Sequence, residues 1–540
     1  MHKIKSFLIF GNWVSILLFA AGVQISLSPP LYAAITEKKI TDAGITVAVE
    51  DGLILNRGVF PNDVDVDTRQ SIVTLSGSVD NLLAKERILQ IAESVRGVLG
   101  VIDRLTVTPV SRTDADICKD IQEALKQDPA TESYQIIVSV KDGVATLTGS
   151  VGSYMEKKLA ARAAEDVRGT KDVRNDIVIN YAAKRSDREI AADIKDRLQW
   201  DIWINGETVN SSVKDGLVTL TGPVGSVISK LRAYEDAWVN GVKSVDNSRM
   251  TIDPWVYDYA RKKLKYVNLS DDTIKKAVLE AFRFDPRVSA FSPNVAVDGG
   301  VVYLSGTVGN LKAKTFAEQD AKNIVSVWQV DNFIHVRPKQ QLADSEMKTQ
   351  LTKSLSRDPL LDGDTINATV TNQIADLSGT VGSNFRKIEA QDVASRTKGV
   401  VSIRNHLKVE KDGSSASYNL PDDPTYDWFY KDRSSYDLPC YPTYDWLYKD
   451  GSSYKISGVL GPQPNLSDEQ IAKKIEDGFF WEPYVDKDAV KVDVEGGVAT
   501  LTGKVGTWIG WNEINKDAYN GGATKVVNRV RIDKGAWLWE

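Results

Sequence analysis

Val144-Ala145-Thr146-Leu147-Thr148-Gly149-Ser150-Val151 recurs in variant form along the chain and sets its organisation. The segment Val138-Ser139-Val140 and the pair Asp142-Gly143 come just before it. Asp-Gly between two segments that alternate with period two is a strong hairpin signal, because glycine accepts the positive φ that such turns require. This stretch therefore predicts a strand, a tight turn and a second strand.

The phrase Leu-Ser/Thr-Gly-x-Val occurs six times in the 540 residues. Its glycines are 72, 73, 84, 73 and 124 residues apart, so the third and fifth copies are followed by inserted segments. Six matches at near-constant spacing indicate tandem copies of one small module. A structural role, either a sharp exit from the sheet or close packing on a helix, is favoured for these glycines over ligand binding. They are Gly77, Gly149, Gly222, Gly306, Gly379 and Gly503.

The turn between the two strands varies from copy to copy. Asp215-Gly216, Gly299-Gly300 and Gly496-Gly497 hold the turn position in copies three, four and six, and Asn372-Gln373 holds it in copy five. The first copy has no glycine there, so the sequence predicts a longer turn around residues 67–71.

Helical patterns flank each hairpin. In copy two, Ile117, Ile121 and Leu125 fall at four-residue spacing, which predicts one apolar helix face. In copy one, a second helix is predicted over residues 84–96, and Gly97 follows it where a C-terminal cap would lie. A helix before the hairpin and a helix after it are therefore predicted for every copy.

A last strand closes each unit, with Asn or Asp inside an apolar alternation, as in Val173-Arg174-Asn175-Asp176-Ile177. The order is helix, strand, strand, helix, strand. A crossover helix makes the last strand parallel to the second, whereas the hairpin strands are antiparallel. The predicted fold is α+β, a tandem array of six αββαβ modules, each a three-stranded mixed sheet covered by two helices.

The predicted boundaries follow from this repeat. The modules are expected at residues 36–109, 112–181, 185–253, 269–337, 342–410 and 466–534. Around them lie a signal peptide at 1–33, an aromatic and basic linker at 254–268, a duplicated aromatic linker at 411–465 and a tail at 535–540.

The module resembles the BON domain family, in the strand-turn-strand ending in Leu-Thr/Ser-Gly-x-Val, the helix after it and the closing Val-x-Asn-x-Ile/Leu strand. The resemblance covers about four-fifths of the chain without its first 33 residues. It implies a periplasmic location and a lipid-associated or chaperone-like role in the envelope. It implies no catalytic residues.

The N-terminus has the pattern of a secretory signal. Lys3 and Lys5 precede an apolar run over residues 7–23, and Leu31-Tyr32-Ala33 ends in a small residue. Cleavage after Ala33 and export to the periplasm are expected. The alternative is an uncleaved inner-membrane anchor, because the run is just long enough to span a bilayer.

Composition argues against nucleic-acid binding. The formal net charge is −6, and removal of residues 1–33 takes away two lysines and no acids, which leaves −8. A mildly acidic surface gives no long-range attraction to nucleic acid or anionic lipid. Two cysteines cannot form a disulfide framework in this length; a bridge between Cys118 and Cys440 has no support in the sequence.

Candidate catalytic groups are sparse. Beyond residue 33 the histidines are His335 and His406, at different offsets from the asparagines of their strands. Thr148 and Thr221 have no general base at matched positions. Most carboxylates are expected on solvated helix faces. No enzyme activity, cofactor, metal or small-molecule substrate is predicted.

Aromatic clusters lie outside the repeat pattern. Trp and Tyr combine an apolar body with a polar tip, which suits packing between modules, a lipid headgroup layer or a protein partner. All three interpretations stay open, with packing between modules the simplest. The candidate contact residues are Trp255, Tyr257, Tyr259, Lys262, Lys263, Tyr426, Trp428, Tyr430, Tyr444, Trp446, Tyr448, Trp481, Trp508 and Trp511.

The sequence therefore predicts a non-enzymatic periplasmic protein that binds phospholipid surfaces peripherally, or envelope components, in osmotic or envelope stress. Each module would add a weak contact, so that six give avidity. The alternative is a protein-binding adaptor or holdase that does not depend on lipid.

Overall fold

The computed structural model shows six modules, each with the predicted order helix, strand, strand, helix, strand. The predicted α+β class and tandem architecture are confirmed. The structure describes residues 40–54, 64–127, 131, 135–204, 206–256, 269–289, 291–338, 341–382, 384–409, 466–482, 485–506, 508–523 and 525–532.

Two main helices belong to each module. The first helices are Asp42–Ile54, Asp114–Gln127, Asp187–Trp200, Asp271–Phe284, Asp344–Arg357 and Asp468–Trp481. The crossover helices are Leu82–Ser94, Tyr154–Glu165, Val227–Asp236, Leu311–Lys322, Asn384–Arg396 and Trp508–Asn520. A short helix, Pro286–Ser289, and a 3-10 turn, Pro359–Leu361, follow the first helices of modules 4 and 5.

Three strand positions recur in every module. The hairpin strands are Val64–Arg69 and Ile72–Val79, Gln135–Lys141 and Val144–Val151, Asn210–Lys214 and Leu217–Val224, Asn294–Asp298 and Val301–Ser305 with Thr307–Val308, Thr365–Thr371 and Ile374–Val381, and Val490–Glu495 and Val498–Val505. The closing strands are Gly100–Val107, Asp172–Asn175 with Val178–Ile179, Ser244–Ile252, Gln329–Asn332 with His335–Val336, Ser402–Val409, and Lys525–Asn528 with Arg531–Ile532.

The sheet topology is the predicted one. The hairpin strands pair antiparallel in every module, and the closing strand pairs parallel with the second strand. In module 2, Leu147 lies opposite Val138 on one side and Asn175 on the other. The crossover helix between them is the connection that a parallel pair requires.

Each core lies between the sheet and its two helices. In module 2 the predicted helix face of Ile117, Ile121 and Leu125 is buried against Leu147 of the second strand and Ala160 of the crossover helix. Removing this apolar area from water is the main stabilising contribution of so small a module.

The repeat glycines all have positive φ, between 108° and 131°. At Gly222 an added Cβ would lie 2.0 Å from the carbonyl oxygen of Thr208, just before the neighbouring strand. Gly306 is more open, because the atom nearest to an added Cβ would be Asn294 Nδ2, at 3.5 Å. Glycine is therefore required by the backbone conformation and, at Gly222, also by the close approach of the chain that leads into the first strand.

The longer turn predicted for the first copy is wrong. The first strand continues to Arg69, which lies opposite Ile72, so the turn is the two residues Gln70 and Ser71. Both have positive φ, 52° and 61°, as in the glycine-containing turns. The prediction failed because non-glycine residues can occupy this conformation when other contacts compensate for its cost.

An aspartate clamp supplies that compensation in every module. The first residue of each first helix is Asp, and its two carboxylate oxygens accept the backbone N–H groups of both turn residues at 2.7–3.0 Å. The clamps are Asp42, Asp114, Asp187, Asp271, Asp344 and Asp468. Within the described ranges, no helix is both long and apolar enough to cross a membrane.

Candidate functional site: the junctions between modules

The same type of main-chain hydrogen bond joins each of three pairs of modules. A residue just after one module's crossover helix donates its N–H to the last carbonyl of the partner module's first helix, a carbonyl that has no acceptor role inside its own helix. The contacts are Arg96 to Trp481 at 3.2 Å, Arg168 to Arg357 at 2.9 Å and Val325 to Trp200 at 2.9 Å. Modules therefore pair as 1 with 6, 2 with 5 and 3 with 4.

Aromatic side chains cross the junction between modules 3 and 4. Trp200 ends the first helix of module 3 but is buried in the core of module 4. Phe284 ends the first helix of module 4 and packs against the core of module 3, with the guanidinium of Arg197 4.8 Å from its ring centroid. This exchange joins the two cores and stabilises both modules through shared apolar burial.

Trp481 performs a similar packing role between modules 1 and 6. An added Cβ on Gly44 of module 1 would lie 2.9 Å from the Trp481 ring, which shows how closely the indole approaches that helix. On the same side, Arg96 Nη1 donates to the carbonyl of Phe480 at 3.4 Å.

The crossover helices meet through ion pairs and rings. Arg162 pairs with Glu86, and Lys158 pairs with Glu235, so the helix of module 2 contacts those of modules 1 and 3. Lys312 pairs with Asp392 between modules 4 and 5. Tyr154 also stacks on Trp238, with ring centroids 4.5 Å apart and planes 8° from parallel. These helices therefore use their polar faces to contact one another.

The prediction that most carboxylates lie on solvated helix faces is wrong for the crossover helices. Their polar faces lie against other modules and against the segment after the first helix, as where Arg232 Nε lies 2.7 Å from Asp201 Oδ2. Burial there removes the carboxylates from water, so they depend on protein partners. The buried carboxylates on these helices are Asp236, Glu318, Asp320, Glu389, Asp392, Glu513 and Asp517.

Burial shifts the protonation of several of these groups. Desolvation raises the pKa of Asp201 to about 7, in spite of the opposing charge of Arg232. Desolvation also raises the pKa of Glu165 to about 7, and the charge of Glu86 adds to the effect. The pKa of Asp320 lies well above its usual value, again mainly through burial and then through Asp285.

A cavity of about 220 Å³ lies where modules 1, 2, 4 and 5 meet. Glu86, Arg162, Lys312 and Asp392 line it together with Phe316. The charged groups named here are paired with each other across the cavity wall, Arg162 with Glu86 and Lys312 with Asp392. Asp392 is buried, so removing Lys312 would leave an uncompensated carboxylate and weaken the junction.

The BON domain matches the chain six times, at residues 41–109, 113–181, 186–254, 270–338, 343–411 and 467–534. The chain belongs to the BON domain family. BON domains are a non-catalytic kind of module.

Osmotically inducible protein Y of Escherichia coli (strain K12) is 32% identical over 143 residues, which are 25% of this chain and 71% of that protein. Among solved structures, the chain is similar to CdsD, a structural protein of the type III secretion system of Chlamydia trachomatis, with 16% identity, a TM-score of 0.12 and coverage of 42% of this chain and 94% of that one. The C-terminal domain of CdsD gives 15% identity, a TM-score of 0.11 and coverage of 42% and 100%.

The described aromatic candidates have different surroundings in the BON array. Trp255, after module 3, is 49% exposed, and the guanidinium of Arg96 lies 4.6 Å from its ring centroid. Trp481 packs between modules, as above, and Trp511 packs on the core of module 6 while its Nε1 donates to the carbonyl of Val530 at 3.1 Å. Trp508 begins the crossover helix of module 6.

The other aromatic and basic candidates lie outside the described residues. They are Tyr257, Tyr259, Lys262, Lys263, Tyr426, Trp428, Tyr430, Tyr444, Trp446 and Tyr448. Cys440 is also outside them, whereas Cys118 is a free thiol, half-buried, with its Sγ 3.4 Å from the carbonyl oxygen of Val138.

The remaining polar candidates lie on exposed sheet faces. His335 and His406 are both exposed residues of closing strands, in modules 4 and 5. Thr148 is exposed on the second strand of module 2. Across the part of the chain that the structure describes, no group of three or more His, Cys, Asp or Glu residues could hold a metal ion.

The asparagine of the closing strand has a structural role that the sequence motif alone did not reveal. Asn175 Nδ2 donates to the carbonyl of Lys157 on the crossover helix at 2.8 Å, and Asn405 makes the same contact with Lys387 at 2.8 Å. The side chain thus ties the last strand to the helix that crosses over it. Its recurrence is explained by this link and needs no ligand.

Proposed function

We propose that this multi-BON protein acts without catalysis in the periplasm, where it protects the envelope during osmotic stress by binding phospholipid surfaces. Its 32% identity with osmotically inducible protein Y supports the stress setting. The sequence pattern of residues 1–33, outside the described residues, supports export.

The exposure of the Trp255 ring is the observation that supports a lipid contact. Its indole is half-exposed, and the buried guanidinium of Arg96 lies over the ring and fixes its position. An exposed amphipathic ring suits the headgroup layer, where its apolar body enters the apolar boundary and its polar tip stays among the headgroups. Trp481 and Trp511, in contrast, pack against protein, so we do not assign them to the lipid contact.

The pairing of modules restricts which surfaces can take part. The polar faces of the crossover helices are occupied by other modules, so we assign the lipid contact to the aromatic segments at 254–268 and 411–465. Several such contacts on one body add avidity, because the second contact forms at a high effective concentration.

Co-sedimentation with vesicles tests this proposal. Residues 34–540 would be mixed with vesicles of phosphatidylethanolamine, with and without phosphatidylglycerol, in high salt that screens surface charge. Replacing Trp255, Trp428 and Trp446 together by alanine is expected to weaken binding about tenfold or more, since each buried aromatic contributes about 1.5–3 kcal/mol.

Phe333→Ala is the matched control, because Phe333 is an aromatic residue that is 61% exposed but lies in module 4, outside the aromatic segments. Unchanged binding of the triple variant would remove the aromatic segments from the proposal. If the unmodified chain binds neither vesicle, the lipid function fails and the protein-binding adaptor or holdase takes its place.

A further inference from the structure

The junction between modules 2 and 5 is polar at positions that are aromatic in modules 3, 4 and 6. The first helices of modules 3, 4 and 6 end in Trp200, Phe284 and Trp481, whereas those of modules 2 and 5 end in Gln127 and Arg357. Arg357 is only 8% exposed. A buried guanidinium is costly to desolvate, so packing alone does not explain an arginine at this place.

A cavity of about 300 Å³ lies beside Arg357, between the first helices of modules 2 and 5. Its lining is predominantly basic, with five cationic side chains and two carboxylates. These residues are Arg112, Lys119, Arg168, Lys353 and Arg357, with Asp120 and Glu123.

Two of the five cations, Arg112 and Arg168, have a carboxylate partner at hydrogen-bond distance. Asp120 accepts from Arg112 at 2.7 Å, a contact that Asp193 repeats with Arg185 in module 3 and that is therefore structural. Asp362 accepts from Arg168 at 2.6 Å.

Glu123 is shared between two cations. Its Oε2 lies 3.6 Å from Lys353 Nζ and 3.7 Å from Arg357 Nη1, which is too far for a hydrogen bond to either. The carboxylate thus offsets charge at this side of the cavity without satisfying the donors.

The two edges of the Arg357 guanidinium face different surroundings. Nη2 donates to Gln127 Oε1 at 2.9 Å and to Ser354 Oγ at 3.0 Å. Nη1 lies on the side of Glu123 and Lys353, is buried, and has no hydrogen-bond acceptor among the described residues. Arg168 Nε is likewise buried and has no hydrogen-bond acceptor among the described residues. Burial also lowers the pKa of Arg357, against the opposing effect of the carboxylates of Asp120, Glu123, Asp166 and Asp358.

We propose that this cavity binds a phosphate group, with Arg357 Nη1 and Arg168 Nε as the buried donor atoms and Lys119 and Lys353 at the exposed rim. Guanidinium groups match the geometry of phosphate oxygens, and lysines add point charges. The phosphate comes from inorganic phosphate or from a lipid headgroup. The site needs both modules, so it exists only where modules 2 and 5 are paired, and it is separate from the aromatic contact proposed above.

Titration of residues 34–540 with inorganic phosphate in a calorimeter tests this site. One phosphate per chain is expected. Arg357→Gln is expected to weaken binding by about tenfold or more, since hydrogen bonds to charged groups are strong. This variant copies Gln127, which ends the equivalent helix of module 2. Lys119→Gln is a surface change and is expected to weaken binding severalfold.

Lys126→Gln is the matched control, because Lys126 is exposed on the same helix but does not line the cavity. Absence of phosphate binding, or equal effects of the Lys119 and Lys126 variants, would overturn the proposal. Vesicles of phosphatidylglycerol distinguish the sources: a loss of vesicle binding in Arg357→Gln assigns the lipid headgroup, and unchanged vesicle binding assigns free phosphate. Failure of the Trp255 contact would leave phosphate binding in solution intact.

Discussion

The carboxylate of Asp344 accepts the backbone N–H of Gln373 at 3.0 Å, linking the start of a helix to a turn 29 residues later. Its other oxygen accepts the N–H of Asn372 at 2.8 Å. These two turn residues have φ of 51° and 64°, and neither is glycine. A left-handed conformation costs about 1–2 kcal/mol per non-glycine residue, so the clamp offsets a real cost in module 5.

Replacing Asp344 by asparagine should loosen this turn. The amide has one acceptor oxygen in place of two, so a turn N–H loses its partner and module 5 is expected to lose about 1–3 kcal/mol. Hydrogen exchange at the amides of Asn372 and Gln373 would report the change as exchange at least about tenfold faster. Glu346→Gln, in the first turn of the same helix, is the control, and equal exchange rates in the two variants would show that the clamp is dispensable.

The repeat glycines provide a matched pair of substitutions. Gly222→Ala and Gly306→Ala impose similar backbone strain, at φ of 111° and 108°, for which about 1–3 kcal/mol is expected. Only at Gly222 does the new Cβ also meet a carbonyl oxygen, at 2.0 Å, so that the strands must separate. Thermal unfolding should therefore show a larger loss for Gly222→Ala. Equal losses would mean that the conformation alone requires glycine.

The fold of a single module follows from local signals in the sequence. The Asp142-Gly143 turn, the helix face of Ile117 and Ile121, and the closing strand around Asn175 were each predictable, because hairpins and amphipathic helices follow from nearby residues. The turn at Gln70 and Ser71 was not, since its conformation depends on Asp42, which is distant in sequence.

The junctions between modules could not be predicted in the same way. Arg87, Arg232, Glu389 and Glu513 each lie ten residues after a repeat glycine, and a charged helix residue is normally assigned to solvent. All but Arg232 are at most 2% exposed. The one available signal was that charge recurs at this position in four of the six copies. Periodicity alone does not say that polar faces pack on each other.

Buried carboxylates should make the array less stable as pH rises. Desolvation raises the pKa of Glu93 to about 7 from an ordinary 4.5, and Glu86 adds to the effect. Because the folded-state pKa is the higher one, the contribution of Glu93 to stability is complete below about pH 4.5 and is lost as pH rises through about 7.

Glu93→Gln should therefore reduce the loss of stability between pH 5 and pH 8, by at most about 3 kcal/mol. Chemical unfolding followed at both pH values checks this, with the exposed Glu469→Gln as the control. If Glu93→Gln has the same pH dependence as the unmodified chain, the carboxyl of Glu93 is not held protonated by its burial.

The pairing of module 1 with module 6 tests most directly whether the six BON modules act as one body. A specific protease site placed within residues 411–465 of the full chain would be cleaved, and the fragments followed by size-exclusion chromatography. Because Trp481 and Arg96 join the two modules, module 6 is expected to remain bound to modules 1–5 after cleavage. Trp481→Ala is expected to release module 6. The control Glu476→Ala, an exposed change on the same helix, is expected to leave it bound. Separation of the fragments from the unmodified chain would show that the modules do not hold together through these junctions.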